Sequence, residues 1–132
     1  MTLVDTNVFL DLVTNDSEWG EWSAGQLGAA LTRGRLVIID VIYAELSVRF
    51  DDAEGLDAML ADFRVVIDAM SRPALFAAGK AFRRYRSLGG QRNGVLPDFF
   101  IGAHAAVAAV SLLTRDPKRY RNYFPSVRLI TP

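Results

Sequence analysis

The chain has 132 residues, of which 51% are hydrophobic and 23% are charged, and it contains no cysteine. This length and composition are typical of one globular domain with a single core, so we predict one domain over residues 1–132. Without cysteine the chain cannot form disulfides, thiolate zinc sites or a cysteine nucleophile, which fits a cytoplasmic protein.

The net charge of zero conceals an uneven distribution. Residues 1–68 hold thirteen Asp and Glu against four Lys and Arg, whereas residues 69–132 hold two acids, Asp98 and Asp116, against eleven basic residues. This asymmetry predicts a surface for a polyanion such as a nucleic acid. Solvated helix faces explain it equally well if the fold interleaves the two halves.

Neither a membrane segment nor a signal peptide is predicted. The longest apolar stretch, residues 99–113, falls short of the ~20 residues that cross a bilayer. The first apolar run is interrupted by Asp5 and Asp11, which is atypical of a signal peptide.

Short apolar runs alternate with helical patterns along the chain. We predict strands over residues 3–4, 36–39, 64–67, 110–113 and 127–130. We predict helices over residues 7–13, 19–33, 41–49, 51–62, 71–88, from 97 onward, and 117–123. Thr6 or Asn7 is the expected cap of the first helix, and Asp40 that of the third. Such alternation implies right-handed crossovers and an α/β fold with a mainly parallel sheet covered on both sides.

Four acidic residues stand at predicted strand ends or in early helix turns, beside apolar runs: Asp5, Glu45, Asp98 and Asp116. Sites in open parallel sheets form outside the carboxyl ends of the strands, so these side chains can converge. Converging carboxylates repel one another, which raises their pKa values or demands cations. Hard divalent ions such as Mg²⁺ prefer oxygen ligands, and the pattern therefore predicts a metal-dependent enzyme.

Each acid also has a structural explanation. Asp5 and Asp116 are possible helix N-caps, and Asp98 is placed to interact with a helix dipole. Glu45 is the weakest candidate, because a lone helical Glu more often lies on the surface.

Four segments resemble the motifs of the PIN-domain family, and particularly those of the ribonuclease toxins of VapBC toxin–antitoxin systems. They are VDTN at 4–7, Glu45 in the helix after the second strand, LPD at 96–98 and LTRDP at 113–117. The resemblance extends along the whole chain. It implies a three-layer α/β/α sandwich around a mainly parallel sheet of about five strands, and Mg²⁺- or Mn²⁺-dependent endonucleolytic cleavage of RNA. It also implies a small antitoxin partner and a homodimer.

If metal-activated water cleaves the phosphodiester bond, the residues of these four segments have expected roles. We expect Asp5, Asp98 and Asp116 to bind the metal, and Glu45 to bind it directly or through a metal-bound water. Three further residues are expected to orient these carboxylates or a water: Thr6, Asn7 and Thr114.

Basic residues of the second half are candidates for RNA binding: Arg83, Arg86, Arg92 and Arg115. Arg83 and Arg86 share a helix face with Lys80, and Tyr85 between them adds a stacking surface. Alternatively, the basic residues of this helix simply face solvent, and Arg115 forms a salt bridge.

Other residues near these motifs are expected to be structural. We predict that Asp11 faces solvent and that His104 is packed or faces a partner. The acidic, apolar helices of residues 19–63 offer a groove for an antitoxin helix or simply form core. Alternatives to a toxin are a PIN nuclease acting in RNA processing or on DNA, and a catalytically silent binding domain.

Overall fold

The structure, a computed structural model, describes residues 1–91 and 95–132. Its elements in chain order are β1 (Thr2–Val4), α1 (Thr6–Val13), α2 (Gly20–Arg33), β2 (Leu36–Ile39), α3 (Asp40–Ser47), α4 (Ala53–Asp62), β3 (Val66–Asp68), α5 (Arg72–Ser87), α6 (Leu96–Ala108), β4 (Ser111–Leu113), α7 (Lys118–Tyr123) and β5 (Leu129–Ile130). None of the helices in the described ranges is both long and apolar enough to span a membrane.

Within the described residues, five strands form one sheet in the order β3-β2-β1-β4-β5, and every pairing is parallel. The helices between them cover the sheet, which confirms the predicted α/β sandwich. The chain moves outward from β1 through β2 to β3, then returns to place β4 on the other side of β1. The sheet therefore has its topological switch point between β1 and β4, where Val4 pairs with Leu113.

The central strands are apolar because both of their faces are buried. All four residues of β2 are fully buried, as are Leu3 and Val4 of β1 and Leu112 and Leu113 of β4. The edge strand β3 is different, since Val66 and Ile67 are 37% and 45% exposed.

An aromatic cluster packs α5, α6 and α7 together. The ring of Phe99 lies 5.2 Å from that of Tyr85, 5.3 Å from that of Tyr123 and 6.2 Å from that of Phe124, measured between centroids. Gly102 gives the Phe124 ring its space, because a Cβ on Gly102 would lie 2.3 Å from that ring. The cluster fixes the first turns of α6 relative to α7, and both helices contribute to the site below.

For the first helix the predicted cap Thr6 or Asn7 is wrong and the alternative, Asp5 as N-cap, is confirmed; for the third helix the predicted cap Asp40 is wrong. Asp5, rather than Thr6 or Asn7, caps α1, and its carboxylate accepts a hydrogen bond from the Thr6 amide. The N-cap of α3 is Ile39, whose extended backbone (φ −112°, ψ 169°) ends β2, so Asp40 is already helical and its side chain is exposed. In both places the strand leads into the helix one residue earlier than the polar pattern indicates.

Candidate active site

The candidate site lies at the carboxyl ends of β1 and β4. Asp5 follows β1 directly, and the Asp5 amide donates a hydrogen bond to the Leu113 carbonyl at 2.9 Å. The segment from Thr114 to Asp116 follows β4, and Asp116 lies one residue before the N-cap of α7, which is Pro117. Parallel pairing at the switch point therefore brings together two motifs that lie more than a hundred residues apart.

Asp5 is buried, with 5% of its surface exposed, and its carboxylate is surrounded by donors. Thr6 N–H donates to Oδ1 at 2.7 Å, while the hydroxyls of Thr114 and Tyr120 donate to Oδ2 at 2.8 and 2.9 Å. Burial nevertheless raises the pKa of Asp5 to about 7, because desolvation outweighs these hydrogen bonds and Asp98 adds repulsion. Asp5 is thus held in one orientation, and burial disfavours its ionised form.

Tyr120 was not identified from the sequence. It is 1% exposed, and burial raises its pKa well above 10, with the charge of Asp5 adding to the effect. The phenol therefore stays protonated and serves as a permanent donor to Asp5. Its only sequence signal is a tyrosine one turn after Asp116 in a predicted helix.

Glu45 extends from α3 toward the same place. It is half-buried, and the Thr6 hydroxyl donates to its Oε1 at 2.6 Å. Burial raises the pKa of Glu45, the Thr6 hydrogen bond opposes that change, and Asp98 adds to it. Thr6 thus connects α1 to the carboxylate that the sequence left least certain.

Asp98, in the first turn of α6, is paired with an arginine from α7. Arg119 Nη1 donates to Asp98 Oδ2 at 2.5 Å, and each side chain is 31% exposed. Burial raises the pKa of Asp98, whereas the hydrogen bond and charge of Arg119 lower it and Asp116 raises it further. The sequence places Arg119 in a basic stretch after Asp116, but it does not reveal the pairing of Arg119 with Asp98.

Asn7 and Thr114 connect these groups. Asn7 Nδ2 lies 3.4 Å from both Asp5 Oδ2 and Thr114 Oγ1, and its Oδ1 accepts from the Arg115 amide at 3.4 Å. Thr114 Oγ1 also accepts from the Asp116 amide at 3.1 Å. The polar residues of the two motifs thus hold the loop after β4 against the start of α1.

The four predicted acids line one cleft of about 190 Å³, together with neighbouring residues: Asp5, Thr6, Asn7, Leu10, Glu45, Asp98, Asp116 and Tyr120. Within residues 1–91 and 95–132, no three His, Asp or Glu side chains are arranged as a ready-made metal cage. The carboxylates that line the cleft offer oxygen ligands and negative charge, and this chemistry would suit Mg²⁺ or Mn²⁺.

Asp11 lies outside the cleft, and the prediction that it faces solvent is wrong. It is 2% exposed, and its Oδ2 accepts from Ser23 Oγ at 2.7 Å and from Arg115 Nε at 2.8 Å. The guanidinium of Arg115 also lies 5.8 Å from the centre of the Trp19 ring. A buried carboxylate is tolerated here because it is paired, and the pair ties the loop after β4 to α1 and α2.

The remaining sequence candidates lie elsewhere. Arg83 is exposed and Arg86 partly exposed on α5, and Arg92 lies outside the described residues. RNA contact by these residues and by Arg115 stays a prediction. His104 is packed, at 5% exposure, with Nε2 3.6 Å from Asp68 Oδ2.

Several solved structures share this fold over nearly the whole chain. VapBC2 from Rickettsia felis, bound to a DNA fragment from its promoter, matches with a TM-score of 0.74 and 19% identity, covering 99% of this chain and 98% of that one. VapBC-1 from nontypeable Haemophilus influenzae matches with a TM-score of 0.72 and 19% identity, covering 98% and 96%. A toxin–antitoxin complex from Klebsiella pneumoniae matches with a TM-score of 0.67 and 20% identity, covering 100% and 98%.

A search of curated proteins finds no match. The sequence model of the PIN domain matches residues 2–125, which include every element from β1 to α7 and all four acids of the cleft. The chain belongs to the PIN-domain family.

Proposed function

We propose that this protein is a Mg²⁺- or Mn²⁺-dependent endoribonuclease and the toxin of a toxin–antitoxin pair. The observation that carries the proposal is the single cleft lined by carboxylates from four separate parts of the chain: Asp5, Glu45, Asp98 and Asp116. A catalytically silent PIN domain has no need to keep four acids together, three of them with raised pKa values.

Asp5, Asp98 and Asp116 would hold the metal ion, with Glu45 beside them. A divalent cation, when bound, supplies positive charge at the phosphate and acidifies the water that attacks it. The cleft contains no histidine to act as general base, since the one histidine of the chain, His104, is packed elsewhere.

The neighbouring polar residues fix the orientation of these acids. Hydrogen bonds from Thr114 and Tyr120 hold one oxygen of Asp5, and the Thr6 hydroxyl holds Glu45. Because such partners set the direction of a carboxylate, Asp5 and Glu45 would need little rearrangement to receive a cation. Arg119, once released from Asp98, becomes a donor for a phosphate oxygen.

The structural relatives named above are toxin–antitoxin complexes, which supports a small antitoxin as the partner of this chain. The segment from α2 to the C-cap of α4 carries half-buried apolar side chains that an antitoxin helix could cover: Trp22, Phe50, Met59 and Phe63. We also propose a homodimer by family analogy. A short reading frame directly upstream would identify the antitoxin, and co-purification of its product with this chain tests the pairing.

The decisive experiment compares the wild-type protein with Asp98→Asn and Asp40→Asn on a panel of structured RNAs in Mg²⁺, Mn²⁺ or EDTA. Asp40 is the matched control, because it is an exposed carboxylate in the first turn of a helix outside the cleft. We expect the wild type and Asp40→Asn to cleave RNA with either metal ion, and EDTA or Asp98→Asn to abolish cleavage.

Cleavage that survives both chelation and Asp98→Asn would sink the metal-nuclease proposal. Cleavage confined to DNA would refute the ribonuclease while leaving a PIN nuclease.

A further inference from the structure

Asp116 differs from the three other acids of the cleft in its surroundings. The carboxylates of Asp5, Glu45 and Asp98 each accept a hydrogen bond from a side chain. In the part of the chain that the structure describes, the Asp116 carboxylate forms no hydrogen bond or ion pair, and the residue is exposed. Of the four acids, Asp116 is thus the one whose side chain is left open to a cation.

The residue before Asp116 is an arginine, yet the two side chains are not paired. Arg115 Nε donates instead to both oxygens of Asp11, at 3.1 Å to Oδ1 and 2.8 Å to Oδ2. The guanidinium also lies 5.8 Å from the centre of the ring of Trp19, the N-cap of α2. The lining of the cleft that the structure describes includes Asp116 but not Arg115.

Asp11 holds this guanidinium from a buried position on α1. It is 2% exposed, and Ser23 Oγ donates to its Oδ2 at 2.7 Å, so donors reach both carboxylate oxygens. A carboxylate buried to this extent needs a compensating positive charge, which Arg115 supplies. Neither residue of the pair has a role in the proposed metal chemistry so far.

The charge of Arg115 is nevertheless within reach of Asp116. The hydrogen bond to Asp11 contributes most to raising the pKa of Arg115, and the charges of Asp11, Asp16 and Asp116 add to it. Hydrogen bonding thus decides between two neighbouring acids in favour of Asp11. A guanidinium paired with Asp116 would neutralise that acid and compete with a divalent ion for the same oxygens.

We propose that Asp11 is a positioning residue for the metal site, because it holds the guanidinium of Arg115 away from Asp116. In this role Asp11 touches neither the metal nor the substrate, and it acts only through Arg115. The assignment rests on the proposed metal-dependent function and adds a residue that controls how strongly the site attracts its ion. If the pair only ties the loop after β4 to α1, the contacts are the same but metal affinity does not depend on the charge of Arg115.

The test is calorimetric titration of Mn²⁺ into the wild type, Asp11→Asn, Arg115→Met and the double variant that carries both changes. Asp11→Asn removes the charge that holds Arg115 but keeps the shape of the side chain. The double variant removes both charges of the pair, so its net charge equals that of the wild type. Asp40→Asn is the matched control, because it alters the net charge as Asp11→Asn does, at an exposed position that does not line the cleft. Titration without RNA keeps any contact between Arg115 and a substrate out of the measurement.

We expect Asp11→Asn to weaken Mn²⁺ binding about threefold to tenfold, because the released guanidinium pairs with Asp116. The double variant should regain the wild-type affinity within about twofold, although it lacks the whole pair. Arg115→Met should bind Mn²⁺ at least as tightly as the wild type, and Asp40→Asn within about twofold of it. The Mg²⁺ concentration that gives half-maximal RNA cleavage should rise in Asp11→Asn and return in the double variant.

A loss of affinity that persists in the double variant would show that the pair only supports the fold, and it would refute the positioning role. Unchanged affinity in Asp11→Asn would refute it as well. Thermal unfolding of each variant verifies the fold. If Asp11→Asn fails to fold, nitrogen-15 NMR of the wild type in saturating Mg²⁺ keeps the proposal testable. Slow hydrogen exchange of the Arg115 Nε–H, assigned with Arg115→Lys, supports the proposal, and fast exchange overturns it.

The two proposals can fail separately. If the wild type binds Mn²⁺ and cleaves RNA but the variants do not differ, only the role of Asp11 fails. If the wild type and the variants bind Mn²⁺ as expected but no RNA is cleaved, the ribonuclease fails and the positioning role stands. If the wild type binds no Mn²⁺, the proposed metal-dependent function fails and the role of Asp11 fails with it.

Discussion

Replacing Asp5 by asparagine should stabilise the metal-free protein at pH 8. Asp5 is 5% exposed, and its pKa is raised from 3.8 to about 7. At about 1.36 kcal/mol per pH unit, ionised Asp5 costs the folded state up to about 4 kcal/mol. Asparagine has nearly the same shape but cannot ionise. The hydroxyls of Thr114 and Tyr120 must then turn to accept from the new amide, which offsets part of the gain, so we expect a net gain of about 2 kcal/mol.

The sign of the pH dependence follows from proton binding. Between pH 3.8 and about 7 the folded protein holds a proton on Asp5 that the unfolded chain has lost, so the free energy of unfolding falls as pH rises through this window. The contribution is fully present below pH 3.8 and is gone above about pH 7. The Asp5→Asn variant lacks this slope, so its advantage over the wild type should be constant above about pH 7, shrink by about 1.36 kcal/mol per pH unit below it, and be lost by about pH 5.5.

Urea unfolding in EDTA at pH 5, 6, 7 and 8 measures this difference, with Asp51→Asn as the control. Asp51 is exposed, and its replacement should change the free energy of unfolding by less than about 0.5 kcal/mol at every pH. At pH 8, added Mg²⁺ should stabilise the wild type more than Asp5→Asn, because the ion binds the ionised carboxylate. A variant less stable than the wild type at pH 8, or a gap that does not change with pH, would refute the reasoning.

Three further substitutions test the surroundings of the cleft. Arg119→Ala removes the positive charge that is paired with Asp98. Calorimetric titration should therefore show that Mg²⁺ or Mn²⁺ binds about tenfold more tightly, which corresponds to about 1.4 kcal/mol. Weaker binding would contradict a competition between Arg119 and the metal ion for Asp98. Gly102→Ala should lower the free energy of unfolding by about 1–3 kcal/mol, because the new Cβ meets a buried phenylalanine ring. Gly28→Ala is the control and should not destabilise α2, because no described atom lies within 4 Å of its new Cβ. Thr114→Val removes a donor to the buried carboxylate at the end of β1 and so raises its pKa further. The acidic limb of the pH–rate profile should therefore move to higher pH, and an unchanged limb would argue against that carboxylate as the titrating group.

The fold and the four acids could be predicted because each depends on short-range patterns. A run such as residues 36–39 is apolar throughout because both faces of the strand are buried. An acid that follows such a run lies at the carboxyl end of the strand, where sites in parallel sheets form. Asp5 follows β1 directly, Asp116 follows β4 after two residues, and Asp98 lies in the first turn of a helix that packs beside them. The parallel arrangement then accounts for their common cleft.

The partners of these acids could not be predicted, because they are set by long-range packing. Tyr120 reaches Asp5 across 115 positions, and Arg115 reaches Asp11 across 104. The hydrophobic periodicity of the sequence does not indicate such pairs, because each depends on how α7 and the loop after β4 pack against α1. Asp11 is predicted to face solvent for the same reason. The residues that bury it, Ser23 and Arg115, are distant in sequence, so the local pattern of α1 does not indicate them.

The pairing of β1 with β4 at the switch point has a consequence for synthesis on the ribosome. Thr2–Val4 is made first, but its neighbour Ser111–Leu113 is made more than a hundred residues later. The cleft cannot exist on a growing chain until β4 has emerged and inserted beside β1, because Asp5 then meets Thr114 and Tyr120 for the first time. Closing so long a loop is among the slow steps of folding. Before that point the acids of the cleft cannot converge, so no chemistry that needs them together is possible on the growing chain.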